Sequence, residues 1–506
     1  MGGLVAPACA GPRGGHALAD RESHLGVKSL AERCGLHDAA RAVACEALRA
    51  RVREADVRQV RVAWGDLHGW LRGKTLMPKA LDAALMDGVG LVGTLLLKDT
   101  ADRTAFKVFE PVGSRDSAPA GFAGAANLWL LPDPASFTLL PWAPGTAWLL
   151  GQPWFADGTP VQQDPRRVLQ RAVARLAAAG YRLRCGLEVE FHVYRIVDAR
   201  LDPAASTWPP EPPAVELIHP GWQLLSEAHA DRVAPVFDIV RDTALGLGLP
   251  LRSLEIELGP SQVEAVFDAM DAMDAADAML RFRNGVQQAL RRAGYHASFV
   301  CRPPFANIMS SGWHLHHSLV DAEGRNAFAD ASEPLSATGR HWLAGLLVHA
   351  TAATVFGTST TNGFGRFRPN ALAPMQVAWG RDNRGAMLRL VGRPGDAATR
   401  IENRIGEPAA NPYAYIAAQI HAGLNGVARG LEPPPPTEAP YAEGGAPLPT
   451  RLGDALDALA ADTALCDAMG RAFVDTFVAV KRQEQARFDA AEDKAEFDRR
   501  EYFSRF

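Results

Sequence analysis

The chain has 506 residues, of which 47% are hydrophobic, so it can bury a large core and is long enough for two or more folding units. A formal net charge of −4 gives no electrostatic reason to expect a nucleic-acid or anionic-membrane partner, which leaves a small-molecule substrate as the expectation. The six cysteines are scattered without a CxxC pair, as unpaired thiols in a reducing, cytoplasmic compartment would be, and no apolar run approaches the ~20 residues that cross a bilayer.

Residues 1–28 are rich in Gly, Ala and Pro without hydrophobic periodicity, which predicts a disordered tail. A helix is expected from Ser29 to about Glu54. It leads into VRQVRVAWGDLHGW, where Val57, Val60, Val62 and Trp64 read as strand and Asp66 to Gly69 as a tight turn. These open a small β-rich unit, residues 29–151. After Asp164, PRRVLQRAVARLAAAG has apolar residues at helical spacing, with Pro165 at its start and Gly180 at its stop. An alternating strand follows, and TWPPEPPAVELIHP reads as a surface loop. From Ala228 helices alternate with short strands, and Pro433 to Pro436 mark an excursion before the final helices of a second unit, residues 152–506.

The strand RCGLEVEFHVYR points Leu187, Val189, Phe191 and Val193 into a core, so Glu188, Glu190 and His192 share the other face. Carboxylates crowded on one strand repel unless a cation lies between them. SGWHLHHSL places His314 and His316 on one face. ATRIENRIGEP alternates Arg400, Glu402 and Arg404 against Ile401 and Ile405, and LEIELGPSQVEAVF offers Glu257, Gln262 and Glu264 around a Gly-Pro turn. Each segment alone is equally readable as solvated polar surface. Together they supply more carboxylates than one cation requires, which argues for a polynuclear site, and hard oxygen ligands with few imidazoles suit Mg²⁺ or Mn²⁺. Arg366, Arg368, Arg381, Arg384 and Arg389 lie near Arg400 and Arg404 in sequence, and guanidinium groups suit phosphates and carboxylates. No GxxxxGK[ST] loop is present, so any ATP is held by metals and arginines.

In this order, GLEVEF, ELGPSQVE, SGWHLH, TNGFGRFRP, DNRGAMLR and RIENRIGEPAANPY resemble the glutamine synthetase family, from about Val57 to the carboxyl terminus. The resemblance implies an α+β fold: an amino-terminal β-grasp domain, a carboxyl-terminal catalytic domain with a curved antiparallel sheet, and a double-ringed homo-oligomer, commonly a dodecamer, with sites between subunits. It implies that Glu190, Glu257 and Glu264 hold one metal and Glu188, His314 and Glu402 the metal on ATP. His316, Arg384, Arg389 and Arg400 would contact nucleotide phosphates, while Arg366 and Arg404 engage glutamate. Asp66 would be lent to the neighbouring subunit's ammonium site, joining Arg366 and Arg384 as catalytic residues. The family's flap carries a glutamate where this chain has Leu372, and leucine neither binds a cation nor acts as a base. The expected acceptor is therefore an organic amine packing on Leu372, giving a γ-glutamyl amide through γ-glutamyl phosphate. An ammonia-using glutamine synthetase and a catalytically silent relative are the alternatives. The nearby Met309 and Ser310 also depart from the family's Gly-rich turn.

Overall fold

The computed structural model describes residues 28–369, 371–442 and 445–506, so the expected tail lies outside them but for Lys28. The expected first helix is divided into Leu30–Arg33 and Ala39–Glu54. Gly35 adopts a φ of +69°, and Asp38 caps the second helix by accepting from the Arg41 backbone N–H. Periodicity alone did not separate the two, because the break rests on one left-handed residue and one cap.

The amino-terminal sheet has strands β1 (Gln59–Gly65), β2 (Leu71–Leu76), β3 (Val89–Val92), β4 (Asn127–Pro132), β5 (Thr138–Leu139) and β6 (Thr146–Trp154). Their order is β2-β1-β6-β4-β3, with β5 also on β6. β1 and β2 form an antiparallel pair, and β6 returns parallel to β1. The Asp66 to Gly69 turn joins the first two strands, with the Gly69 N–H donating to the Asp66 carbonyl at 3.0 Å.

The larger sheet is built on the long strand β7 (Arg182–Asp198). Its other strands are β8 (Ala214–Leu217), β9 (Leu251–Ile256), β10 (Gln262–Phe267), β11 (Met270–Asp271), β12 (Tyr295–Ser298), β13 (Trp313–Val320), β14 (Trp379–Arg381), β15 (Leu388–Val391) and β16 (Arg400–Asn403). The main path runs β14-β15-β16-β13-β7-β10-β9, antiparallel except for β14 beside β15. The Pro-rich stretch expected as a loop contains β8, which pairs with the far end of β7 because Ala214 to Leu217 follow the last proline before His219 and can donate to the ladder.

Leu187, Val189 and Phe191 are buried on one side of β7, where helices Pro165–Ala178 and Ala272–Arg292 cover them. Asp164 caps the first of these helices and Pro165 occupies its first turn. Helix Pro412–Arg429 starts at Asn411, whose side chain accepts from Tyr413 and Ala414, and ends at Gly430 in the left-handed region. With one face of β7 committed to the core, the register turns its alternate residues toward the opposite face. Among the described residues no helix is long and apolar enough to cross a membrane.

Candidate active site

Strand pairing assembles the site. In the β13–β7 ladder His314 lies opposite Glu188, in β10–β7 Glu264 lies opposite Glu190, and in β13–β16 His316 lies opposite Glu402. Four strands and three ladders thus bring segments far apart in sequence onto one face. Glu188 accepts from both imidazoles, His314 Nδ1 at 2.8 Å and His316 Nε2 at 3.0 Å. His314 Nδ1 also stands 3.7 Å from Glu402, and His314 Nε2 stands 3.8 Å from Glu190. Two groups are close enough to hold a cation: Glu188, His314 and Glu402, and Glu190, Glu264 and His314.

Glu257 follows β9 and is not a member of either tight group, although its charge acts on Glu190. Its carboxylate accepts from the Leu258 N–H at 3.0 Å. His192, on the same strand face as the two glutamates, is fully buried with Nδ1 3.2 Å from the Ser311 hydroxyl. It belongs to the packing beneath the site.

The electrostatics record the crowding. Burial, reinforced by Glu257, pushes Glu190 up to about 8, and burial, reinforced by Glu188, Glu190 and Glu257, pushes Glu264 up to about 10. Burial also raises Glu188, but the hydrogen bonds from His314 and His316 outweigh it and hold this carboxyl well below the usual range. At Glu402, His314 and Arg404 likewise outweigh burial and lower it. Burial and then Arg404 lower His314 to about 4, so its ring is neutral near pH 7. Carboxylates that retain protons for want of counter-charge are the donor set a hard divalent cation fits.

A stability consequence follows. Glu190 and Glu264 are raised above the ordinary value of 4.5, so the folded chain without cation binds protons that the unfolded chain releases there. Metal-free stability from these groups is therefore lost as pH rises from about 4.5 through about 8 for Glu190 and about 10 for Glu264, and a divalent cation that binds the ionised pair reverses the loss. Thermal melts in chelator and in Mn²⁺ are expected to differ more at about pH 8.5 than at about pH 6, and Glu264→Gln is expected to shrink that difference. Equal Mn²⁺ increments at both pH values would contradict it.

The arginines divide. Arg366, 4% exposed, donates to the Arg404 and Gly406 carbonyls at 2.9 and 3.1 Å and to His314 Nε2 at 3.2 Å. Gly312 makes this approach feasible, since a Cβ there would lie 2.5 Å from Arg366 Nη2 and 2.9 Å from His314 Nε2. Arg404 donates to Glu402 and, at 3.3 Å, to the Leu372 carbonyl. Arg389 spans Glu402, at 2.9 Å, and Asp382. Arg400 donates to His316 Nδ1 at 3.2 Å. Glu188, His316 and Arg400 border a cleft of about 1250 Å³ that also takes in Arg184, Arg252 and Arg325. Asp321 and Asp330 line it as well, and Arg184, Arg252 and Arg325 are paired with Asp271, Asp268 and Asp321, which leaves Arg400 beside His316 as the group suited to a phosphate. Arg384 is exposed in the turn before β15 and is not brought to the carboxylates, as are Arg368 and Arg381.

Asp66 sits in the turn between β1 and β2. It is 1% exposed, its Oδ1 accepts from the backbone N–H groups of His68 and Trp70 at 2.9 and 3.0 Å, and its Oδ2 pairs with Arg72 at 2.8 Å. An Asx turn and an ion pair to Arg72 hold the carboxylate in place. Leu372 is 56% exposed at a φ of +52°. Two further contacts were not read from the sequence: the Gly312 N–H donates to Glu190 at 2.8 Å, and Gln262 Nε2 reaches the same oxygen at 3.2 Å. The glycine before a strand of histidines was the available signal.

Comparison with known proteins agrees with this geometry. The profile described as "Glutamine synthetase, catalytic domain" matches residues 162–500. A gamma-glutamylanilide synthase from Acinetobacter sp is 37% identical over 485 residues, covering 91% of this chain and 96% of that protein. A gamma-glutamylethanolamide synthetase, GlnA4, from Streptomyces coelicolor is 31% identical, with 88% and 93% covered. The solved structure described as "Apo GmaS without ligand" superposes with a TM-score of 0.73 at 27% identity, covering 89% of this chain and 98% of that one.

Proposed function

The chain belongs to the glutamine synthetase family, and from that premise we propose that it is an ATP-dependent ligase joining the γ-carboxylate of glutamate to an organic amine. The observation that carries this reading is Leu372: an exposed apolar side chain, tied through its carbonyl to Arg404, stands where the family's flap carries a carboxylate. Relatives named for anilide and ethanolamide products support it.

In this reading Glu188, His314 and Glu402 would hold one Mg²⁺ or Mn²⁺, and Glu190, Glu257 and Glu264 would hold the other, a reading supported by the closeness of Glu188, His314 and Glu402 and of Glu190, Glu264 and His314. The cations would supply positive charge against the phosphoryl oxygens. Arg389, Arg400 and His316 face the phosphates of ATP, and Arg366 and Arg404 orient the glutamate carboxylate. That carboxylate attacks the terminal phosphorus, breaking its bond to the ADP oxygen and giving γ-glutamyl phosphate. The amine nitrogen then attacks the acyl carbon, phosphate leaves, and the nitrogen loses a proton. A weakly basic aromatic amine arrives neutral, so an apolar wall replaces the flap carboxylate without loss of the nucleophile. A cytoplasmic location and a double-ringed homo-oligomer complete the reading, supported by the free thiols and by family membership.

The test is a panel of amines with enzyme, ATP, Mg²⁺ and glutamate, read as phosphate release. Aromatic or alkyl amines are expected to exceed ammonium at least about tenfold in kcat/KM. If ammonium matches the best amine, the chain is an ordinary glutamine synthetase.

A further inference from the structure

Away from the carboxylate cluster, helices enclose a second cavity of about 290 Å³. Helix Pro165–Ala178 brings Arg175 to it, helix Pro412–Arg429 brings His421 and Asn425, and helix Thr463–Met469 brings Asp467. His349, where helices Ala337–Val348 and Ala350–Gly357 meet, completes its polar lining. None of these residues borders the cleft beside Glu188.

The buried polar atoms of this cavity lack partners. His349 and His421 are 4% and 5% exposed, yet His349 Nε2 and both ring nitrogens of His421 find no hydrogen-bond partner among the described residues. An unpaired polar atom away from water is costly, and three of them around one space indicate a polar occupant. The space exceeds what one water needs, since a water's share of liquid volume is about 30 Å³. His349 Nδ1 is paired with Asp462, which fixes the ring. Burial lowers this imidazole, but Asp462 outweighs it and raises it, which favours the protonated ring whose Nε2 donates.

Charge decides the kind of occupant. Burial and then Arg175 and Arg171 lower His421 to about 3, and the Arg429 charge acts on His349. Arg175 is exposed and, among the described residues, has no carboxylate within ion-pairing reach. The acidic neighbours are taken, Asp462 by His349 and Asp467 by Arg471 at 2.6 Å. A metal ion would face these guanidinium groups with two imidazoles to hold it, and neither histidine belongs to a cluster of three closely spaced donors among the described residues. An anion meets the uncommitted guanidinium of Arg175. A neutral His421 presents one donor and one acceptor nitrogen, and phosphate near neutral pH offers both anionic oxygens and a hydroxyl.

We propose that this cavity binds a phosphate group, inorganic or as the monoester of a small metabolite, through Arg175, His349 and His421. The site is separate from the nucleotide cleft and does not depend on which amine the enzyme takes.

The experiment is equilibrium dialysis of the full chain with labelled inorganic phosphate, in Mg²⁺ and an excess of a non-hydrolysable ATP analogue that fills the cleft beside Arg400. One phosphate per chain is expected, with a Kd of about 1 mM or below. Arg175→Ala, at an exposed position, is expected to keep the fold and weaken binding at least about tenfold, and His421→Leu to abolish it. Displacement of the label by glycerol phosphate would show that a monoester shares the site, and failure to displace it would restrict the site to inorganic phosphate. No phosphate bound by wild type, or unchanged binding in Arg175→Ala, would overturn the proposal. Zn²⁺ retained by wild type in place of phosphate, and lost in His421→Leu, would overturn it in favour of a metal site.

Discussion

Glu402→Ala is expected to abolish amide formation, with kcat reduced at least about a thousandfold, the scale on which preorganised charge contributes to a transition state. Glu402 is 0% exposed and lies on β16 opposite Arg389 on one side and His316 on the other. It is the negative charge between the Arg389 and Arg404 guanidinium groups, and it stands within reach of the cation that Glu188 and His314 would share. Its removal takes a ligand from that cation and leaves the buried Arg404 without its carboxylate partner, while Arg389 keeps Asp382, a loss on the order of 3 kcal/mol in stability. Glu402→Gln separates the two effects. The amide keeps the volume and an oxygen for one arginine, so it is expected to stay folded, yet it lacks the charge that draws a hard cation. Thermal melts establish folding, equilibrium dialysis with Mn²⁺ measures cation binding, and phosphate release measures turnover. A folded Glu402→Gln enzyme with near-normal turnover would remove Glu402 from the site.

The carboxylate cluster was readable because strand periodicity is strict: once Leu187, Val189 and Phe191 were assigned inward, Glu188 and Glu190 had one direction left. His314 and Glu402 followed from the same alternation, and their meeting needed only that the strands pair. At Asp66 the turn was legible but not what holds the carboxylate, because the Arg72 guanidinium and the His68 and Trp70 amides reach it only once β1 and β2 are paired. Arg384 was grouped with Arg389 by proximity along the chain, but one is exposed in a turn while the strand carries the other to Glu402. The division of the first helix and the strand β8 were hidden because each depends on a few backbone hydrogen bonds rather than on periodic side chains.

Leu372→Glu is expected to raise kcat/KM for ammonium by about a hundredfold, within the range that a positioned general base supplies, and to lower that for aniline. Ammonium reaches the site charged, so it needs a counter-charge to bind and a base to become a nucleophile. Leucine offers neither. The backbone here is fixed independently of the side chain: Arg404 donates to the Leu372 carbonyl at 3.3 Å and the Tyr441 hydroxyl to the Ala373 carbonyl at 3.2 Å. With the leucine side chain 56% exposed, the substitution removes little buried surface and is expected to change stability by no more than about 0.5 kcal/mol. A new carboxylate beside Arg404 stays ionised near neutral pH, as a base must, and the same charge opposes the ring of an aromatic amine by withdrawing the apolar wall it packs on. Glutamine and anilide formation by the same preparation report both halves of the exchange. An unchanged ammonium-to-aniline ratio would mean that Leu372 does not face the amine.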